Sequence, residues 1–161
     1  MNRILLLVIL CAISNQAKGQ EAEIRTVLDA WHQAASDADF DVYFGLMTKD
    51  AVFIGTDATE NWDRSAFRSY AKPHFDQGKA WHFTALQRHV YLNGTNDIAW
   101  FDELLDTQMK LCRGSGVVKK VAGQWKIAHY VLSIAVPNEI VDQLVDLKRE
   151  KDSLLMAQLK N

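Results

Sequence analysis

The stretch DIAWFDELLDTQMKLCRGSGVVKKVAGQWKIAHYVLSIAV, residues 97–136, is rich in aromatic and β-branched residues. With the residues before it, this stretch divides into four runs, which are 80–92, 97–107, 109–121 and 124–136. The breaks between them are Asn93-Gly94, Asp106-Thr107 and Ala122-Gly123. Runs of this kind between short turn sequences are typical of consecutive antiparallel strands. The sequence therefore predicts a four-stranded meander.

The residues before the meander follow a helical pattern. Between positions 21 and 38, apolar residues recur at spacings of three and four: Ile24, Val27, Leu28, Trp31, Ala34, Ala35 and Ala38. Asp39 and Asp63 are suited to cap a second and a third helix, and Pro73 is expected to disturb the third. The run AVFIG at 51–55 predicts a short strand between these two helices.

Helices followed by a meander describe an α+β domain. We predict N-terminal helices packed on a strongly curved, mainly antiparallel sheet that forms a cone-like barrel. Pro137 ends the last strand, and the charged, periodic residues from Asn138 onward predict an appended amphipathic helix. The expected division is a segment at 1–19, a domain at 20–136 and a C-terminal helix at 137–161.

The N-terminal sequence MNRILLLVILCAISNQAKG predicts a signal peptide that is cleaved after Gly19. It has one arginine, an apolar run from Ile4 to Ile13 and small residues at Ala17 and Gly19. The run is about half of the ~20 residues that a membrane-spanning helix needs, so an uncleaved anchor is the disfavoured alternative. Lipidation at Cys11 is also disfavoured, because a bulky leucine precedes it. We expect a secreted or periplasmic protein with no stable membrane insertion after cleavage.

The composition excludes several classes of function. A chain of 161 residues with 48% apolar and 24% charged residues fits one globular domain. Cleavage would remove Arg3 and Lys18, leaving 16 basic against 20 acidic side chains and a formal charge of −4, which does not attract nucleic acid. Cys112 would be the single remaining cysteine, so no internal disulfide is expected.

Short motifs along the chain resemble the SnoaL-like branch of the nuclear transport factor two-like superfamily over roughly residues 23–135. They are the early helix with Trp31, LMTKDAVFIG at 46–55, ENWDR at 60–64, IAWFDELL at 98–105, RGSGVV at 113–118, and WKIAH at 125–129 with Ser133. The resemblance implies a cone-shaped α+β barrel, often dimeric, with a pocket between sheet and helices. It does not imply one function, since its members include isomerases, cyclases, dehydratases, epoxide hydrolases and non-catalytic assembly domains.

The resemblance also implies which side chains face the pocket. Comparison with the kinase association domains places His82, Asp102 and Tyr130 inward, which turns His129 outward into a structural role. Comparison with the steroid isomerases places Cys112 inward, with small Gly114 and Gly116 beside it leaving cavity volume. The predicted polar set is His82, Asp102 and Tyr130, and the predicted walls are Trp31, Phe53, Trp62, Trp100 and Cys112.

The predicted polar set suits proton transfer. Asp102 within hydrogen-bond reach of His82 would orient the imidazole as an acid or base, and Tyr130 would donate a hydrogen bond. The alternative is a satisfied structural pair. The acids and the tyrosine of the steroid isomerases are missing, because Trp31, Gly55 and Cys112 stand at their positions. An anionic ligand is disfavoured, because Asp102 and Leu132 stand where the association domains have cavity arginines.

Two functions of different class remain open from the sequence. The first is binding of a small, largely apolar molecule, with cofactor-independent isomerisation, cyclisation or dehydration as its enzymatic form. The second is a non-catalytic dimerisation or interaction module, favoured by the predicted outward positions of Trp125, Ile127 and Val131. No phosphate-binding loop, paired-cysteine motif or nucleophile elbow occurs, so no cofactor or metal is predicted, and a homodimer is expected.

Overall fold

A computed structural model describes residues 2–160, with side chains from residue 18 onward. The side chains of most of the predicted signal peptide, including Cys11, lie outside the described residues. The helices are α1 (Asn2–Ser36), α2 (Phe40–Gly45), α3 (Arg64–Asp76) and α4 (Val141–Leu159), with a short 3-10 turn (Asn138–Ile140) before α4. The strands are β1 (Met47–Ile54), β2 (Asn61–Asp63), β3 (Phe83–Leu92), β4 (Ile98–Thr107), β5 (Lys110–Val121) and β6 (Gln124–Ile134).

The six strands form one curved, open sheet in the order β2-β1-β6-β5-β4-β3. Neighbouring strands are antiparallel except β1 and β6, which are parallel. Helix α1 packs on β3 and β6, and α3 packs on β1 and β2. The predicted α+β class with N-terminal helices on a mainly antiparallel sheet is confirmed, although the sheet does not close.

Local sequence signals account for several element ends. The carboxylate of Asp39 accepts a hydrogen bond from the backbone N–H of Val42 at 3.0 Å, and that of Asp63 accepts one from Ala66 at 2.8 Å. Both helix caps were predicted from the sequence. At the β5–β6 turn, Ala122 and Gly123 adopt φ angles of 49° and 82°, the left-handed conformation that a tight two-residue hairpin needs.

Several elements differ from the prediction. Strand β1 begins at Met47 rather than at position 51, because Met47 pairs with Ile127. The short strand β2 was not predicted. Helix α3 continues past Pro73 to Asp76, since a proline near the end of a helix removes one hydrogen bond while Phe75 still packs into the core.

Strand β6 contains a β-bulge that changes which side chains face the core. Val117 pairs with His129 but Val118 pairs with Ile127, so Ala128 is the extra residue. After the bulge Tyr130 is buried, and before it Trp125 and Ile127 are buried as well. The predicted outward positions of Trp125 and Ile127 are therefore wrong, because simple alternation does not continue through a bulge.

Gly114 and Gly116 of β5 were expected to leave cavity volume. Instead, large side chains of neighbouring strands pack directly over them. A Cβ at Gly114 would lie 2.2 Å from the hydroxyl oxygen of Tyr130. A Cβ at Gly116 would lie 2.3 Å from the carbonyl oxygen of His129 and 2.9 Å from the ring of Phe101. The space above these glycines is filled, so the predicted cavity at this point of the sheet is absent.

Helix α4 is appended to the domain. None of its residues is buried, and the side chain of Leu147 is 82% exposed. The helix contacts mainly the short turn that precedes it. Among the described residues, no helix is both long and apolar enough to cross a membrane.

Candidate functional site

An aromatic cleft of about 150 Å³ opens at one end of the sheet. Its position follows from the pairing of β1 with β2, which sets Phe53 directly opposite Trp62. Helix α3 and the start of β3 supply further walls, and the β4–β5 turn closes one side. The six aromatic residues that line the cleft are Phe53, Trp62, Phe67, Tyr70, Trp81 and Phe83.

Several of these rings lie nearly parallel. The Phe53 and Phe67 ring centroids are 4.0 Å apart, and those of Trp62 and Tyr70 are 4.5 Å apart. The Trp62 and Phe67 rings are inclined by only 14° at a centroid distance of 5.7 Å. Stacked rings bury large apolar surfaces at low cost in side-chain entropy, so the cleft walls are apolar and are held in place by one another.

Polar groups are few in the cleft, and Glu60 is its one acidic or basic lining residue. The Glu60 carboxylate accepts a hydrogen bond from the backbone N–H of Asp57 at 3.2 Å. It lies over Gly55, where a Cβ would be 2.1 Å from the nearer carboxylate oxygen. Thr56 and Gln108 are the neutral polar side chains that complete the lining. The absence of a side chain at Gly55 thus lets Glu60 take its place at the mouth.

A second set of polar side chains is buried between α1 and the sheet, around the carboxylate of Glu103. This side chain has no exposed surface. One carboxylate oxygen lies 2.7 Å from His32 Nε2 and accepts a hydrogen bond from the Tyr130 hydroxyl at 2.9 Å. The other accepts a hydrogen bond from Arg88 Nε at 2.8 Å. We refer to Glu103, His32, Arg88 and Tyr130 as the buried polar cluster.

The charges within this cluster support one another. Burial alone would raise the pKa of Glu103, but the hydrogen bond and charge of His32, together with Arg88, outweigh it and hold that pKa below its usual value. Burial opposes the charge on Arg88, yet Glu103 and Asp29 raise its pKa. Burial and the Glu103 charge raise the pKa of Tyr130 well above its usual value, so its hydroxyl remains a donor.

The buried polar cluster supports the cleft without lining it. The His32 ring meets Phe83 edge-on at 5.7 Å, and the Tyr130 ring stacks on Phe53 at 5.6 Å. Phe53 and Phe83 therefore stand between the cluster and the cleft. Because the cluster fixes His32 and Tyr130 by directional bonds, it positions two of the cleft walls.

The structure does not bring the predicted polar set together. His82 is exposed, and its two ring nitrogens lie 3.2 Å from the hydroxyls of Ser36 and Thr84. Asp102 lies on the outer face of the sheet, 3.0 Å from His89. Tyr130 is buried in the polar cluster. The expected contact between His82 and Asp102 is therefore wrong.

Strand register explains the error at Asp102. Partners in an antiparallel pair share a face of the sheet, and Gly114 of β5 pairs with Glu103 of β4. Even-numbered residues of β5 thus share a face with odd-numbered residues of β4. With Cys112 and Gly114 inward, it is Glu103 that faces the interior, while Asp102 and Trp100 face outward.

The predicted wall residues fall into three environments. Phe53 and Trp62 line the cleft. Trp31 and Cys112 are fully buried in the core and do not line it. Trp100 is 49% exposed on the outer face, which contradicts its prediction as a wall.

His129 lies on the outer face of the sheet, as the sequence analysis expected, and Arg113 lies there too. His129 is half-buried opposite Val117, and Arg113 is exposed opposite Leu104. Within the described side chains, no group of three or more histidine, cysteine or acidic residues could hold a metal ion.

Two signals in the sequence could have revealed the buried polar cluster. His32 follows Leu28 by four positions and precedes Ala35 by three, so it falls on the apolar face of α1. Glu103 stands between Phe101 and Leu105 in the alternation of β4. A charged residue flanked in this way is buried only with partners, and Arg88 lies directly across the β3–β4 pair.

The fold and cleft define a class of protein, a helix-covered open α+β sheet with an aromatic site at one end. The sequence profile of the SnoaL-like domain family matches residues 24–137. This match covers well over half of the chain, so the chain belongs to the SnoaL-like domain family. The predicted resemblance is thereby confirmed.

Solved structures support the same fold. An NTF2-like protein of unknown function from Pseudomonas putida has 21% identity and a TM-score of 0.64, over 76% of this chain and 91% of that one. A provisionally assigned dehydratase of the NTF2-like family from Streptomyces avermitilis has 13% identity and a TM-score of 0.62, over 72% and 96%. The association domain of C. elegans CaMKII has 23% identity and a TM-score of 0.60, over 72% and 96%.

At these identities the structural likeness shows the fold alone. No curated protein gives a significant sequence match. The chemistry of the site therefore has to be argued from the side chains of this chain.

Replacement of Glu103 by glutamine tests the buried polar cluster. The variant keeps the shape of the side chain but leaves Arg88 with Asp29 as its only acidic partner. We expect the free energy of unfolding at neutral pH to fall by about 3 kcal/mol, as for loss of one member of a buried ion pair. Chemical denaturation of wild type and variant measures this difference.

The pH dependence of that difference has a definite sign. The folded-state pKa of Glu103 lies below an unfolded-state value near 4.5, so its contribution is complete above that pH and is lost as the pH falls through the folded-state pKa. The stability gap between wild type and Glu103→Gln should narrow in acid. Glu139→Gln, at an exposed glutamate, serves as the control. A gap that stays constant into strong acid would contradict the assignment.

Proposed function

We propose that this protein binds a small, largely apolar molecule in the aromatic cleft. The observation that carries the proposal is the set of six aromatic side chains around one cavity that also contains a single carboxylate. Clefts with apolar walls and few convergent polar groups are the usual form of small-molecule sites. In the buried polar cluster, in contrast, both oxygens of the Glu103 carboxylate already have partners within the protein.

The size of the cleft limits its ligand. A cavity of about 150 Å³ accommodates roughly one aromatic ring or a compact group of that size. Larger molecules would bind by placing one such group in the cleft and leaving the remainder at its open mouth. The preferred ligand thus has a compact apolar group at one end.

Binding is the activity that these side chains support best. Proton transfer by His82, Asp102 and Tyr130 would need the three groups to meet at a ligand, and they occupy the surface, the outer face and the core. Glu60 is the lining side chain that could exchange a proton with a bound molecule. An isomerase or dehydratase activity would therefore depend on Glu60 rather than on the predicted set.

Alanine at Trp62 tests the cleft directly. Trp62 lines it, whereas Trp100 is exposed on the outer face, so Trp100→Ala is a matched control. With indole as the probe, we expect Trp62→Ala to bind at least about tenfold more weakly than wild type, because a ring contact and apolar burial are lost. Calorimetric titration measures the affinity, and circular dichroism confirms folding. If Trp62→Ala and Trp100→Ala weaken indole binding equally, indole does not bind in the cleft.

Export of the protein is also proposed, on the strength of the N-terminal sequence. The apolar run and the small residues before Gln20 support cleavage after Gly19. Expression of the whole chain in a bacterium with a periplasm should yield a periplasmic protein that begins at Gln20, as determined by N-terminal sequencing. Leu6→Arg, which interrupts the apolar run, should retain the precursor inside the cell. An uncleaved periplasmic chain would refute the cleavage site.

A second candidate function is self-association through the outer face of the sheet. Tyr91 and Trp100 stack there with centroids 5.9 Å apart, and they are 45% and 49% exposed. The same face carries Asp102 and Asp106 beside Arg113. Two copies related by a two-fold axis could place the carboxylates of one copy against Arg113 of the other, while each copy covers the stacked rings of its partner. The likeness to a CaMKII association domain agrees with this candidate.

Glutamate at Trp100 tests this interface. Introduction of a charge at the centre of the stacked pair should convert a dimer into a monomer, because the charge would be desolvated on association. Analytical ultracentrifugation measures the mass, and Trp62→Ala serves as the control that leaves the outer face intact. A wild-type protein that stays monomeric at all concentrations would rule out the candidate.

A further inference from the structure

We propose that the ligand of the aromatic cleft is an organic cation, with a substituted ammonium group beside Glu60. This inference rests on the proposed binding function and specifies the class of ligand. It follows from the electrostatics of the cleft, which is acidic at its mouth and lined by aromatic rings elsewhere. No lysine, arginine or histidine is among the side chains that line it.

Aromatic walls favour a cation over an anion. The face of an aromatic ring carries partial negative charge, and a cation within about 6 Å of a ring centroid is attracted to it. Sites that recognise substituted ammonium groups combine several rings with an acidic group in this way. Six aromatic residues line a cavity of about 150 Å³, which has room for a group as compact as trimethylammonium.

The carboxylate of Glu60 adds a full negative charge at the same place. Its described hydrogen bond is to the backbone N–H of Asp57, and no basic side chain is paired with it in the described structure. A bound neutral molecule would remove water from this carboxylate without replacing it, and an anion would add repulsion. A cation compensates for the lost water through the Coulombic attraction of its positive charge to the carboxylate.

Three basic groups near the cleft have other contacts. Just before β3, His82 lies within reach of the Ser36 and Thr84 hydroxyls. On α4, Lys148 pairs with Asp152 at 2.9 Å. Hydrogen bonds from Thr59 lower the pKa of Asp57, and the charge of Lys151 on α4 lowers it further. The charge of Glu60 is therefore left for a ligand.

Choline and its uncharged carbon isostere, in which a tert-butyl group replaces trimethylammonium, form a matched pair of probes. Their shapes are nearly identical, so a difference in affinity reports on charge. We expect wild type to bind choline about tenfold more tightly than the isostere, by calorimetric titration at low salt.

Glu60→Gln tests the origin of that preference. The amide keeps the size of the side chain and an oxygen that can accept from Asp57, but it removes the charge. We expect the variant to bind both probes with similar affinity. Asp106→Asn changes the net charge equally on the outer face and should keep the preference of wild type.

Each of the remaining outcomes contradicts a different part of the proposal. If the isostere binds as well as choline, the cleft does not recognise the positive charge. If indole alone binds, the cleft takes apolar molecules but not cations. If choline is preferred equally by wild type and Glu60→Gln, Glu60 is not the recognition group. If choline, its isostere and indole all fail to bind, the proposed binding function itself is overturned.

Discussion

The buried carboxylate of Glu103 is the constraint on which the docking of helix and sheet depends. An ionised carboxylate without exposed surface is tolerated only where donors and opposite charges replace water. Its partners come from three separate elements: His32 from α1, Arg88 from β3 and Tyr130 from β6. One side chain thereby ties α1 to two strands that are separated in the sheet by β4 and β5. Apolar packing alone would tolerate small shifts of the helix, whereas these directional bonds specify one orientation.

The same constraint explains why the cleft lies at the end of the sheet, beside α3, and not beneath α1. The resemblance implied a pocket between sheet and helices, and the part of this space beneath α1 is occupied by side chains that the cluster holds in place. Tyr130 reaches Glu103 over Gly114, and its ring packs against Trp31 at 4.8 Å and Phe53 at 5.6 Å. The remaining free volume is displaced beyond Phe53, toward β2 and α3. In this chain the interior contributes to stability, and the mouth of the cleft is the place of the proposed binding.

The sequence predicts the elements well, because local chemistry determines them. The Ala122-Gly123 turn and the Asp39 cap are read from single residues and are present in the structure. Local sequence does not decide which face of β4 points inward, because both faces carry large apolar residues. Trp100 and Leu104 lie on one face, and Phe101 and Leu105 lie on the other. Only the pairing of β4 with β5 decides between them, and that pairing is a long-range property. The bulge at Ala128 is equally invisible in an alternating pattern, so Trp125 and Ile127 could not be placed from the sequence.

Glu60 and Glu103 show how position gives two identical side chains different functions. Each glutamate stands within a few residues of a tryptophan, but only Glu103 falls within an apolar alternation, between Phe101 and Leu105. Glu103 is surrounded by three donors from the protein, so its charge contributes to stability and is not available to a ligand. Glu60 accepts one described backbone hydrogen bond and lies among aromatic rings at an open mouth. Because the SnoaL-like fold leaves chemistry to a few side chains, the unneutralised charge is the feature that carries the proposed preference of this cleft. The proposed recognition therefore depends on the carboxylate whose charge the fold has not neutralised.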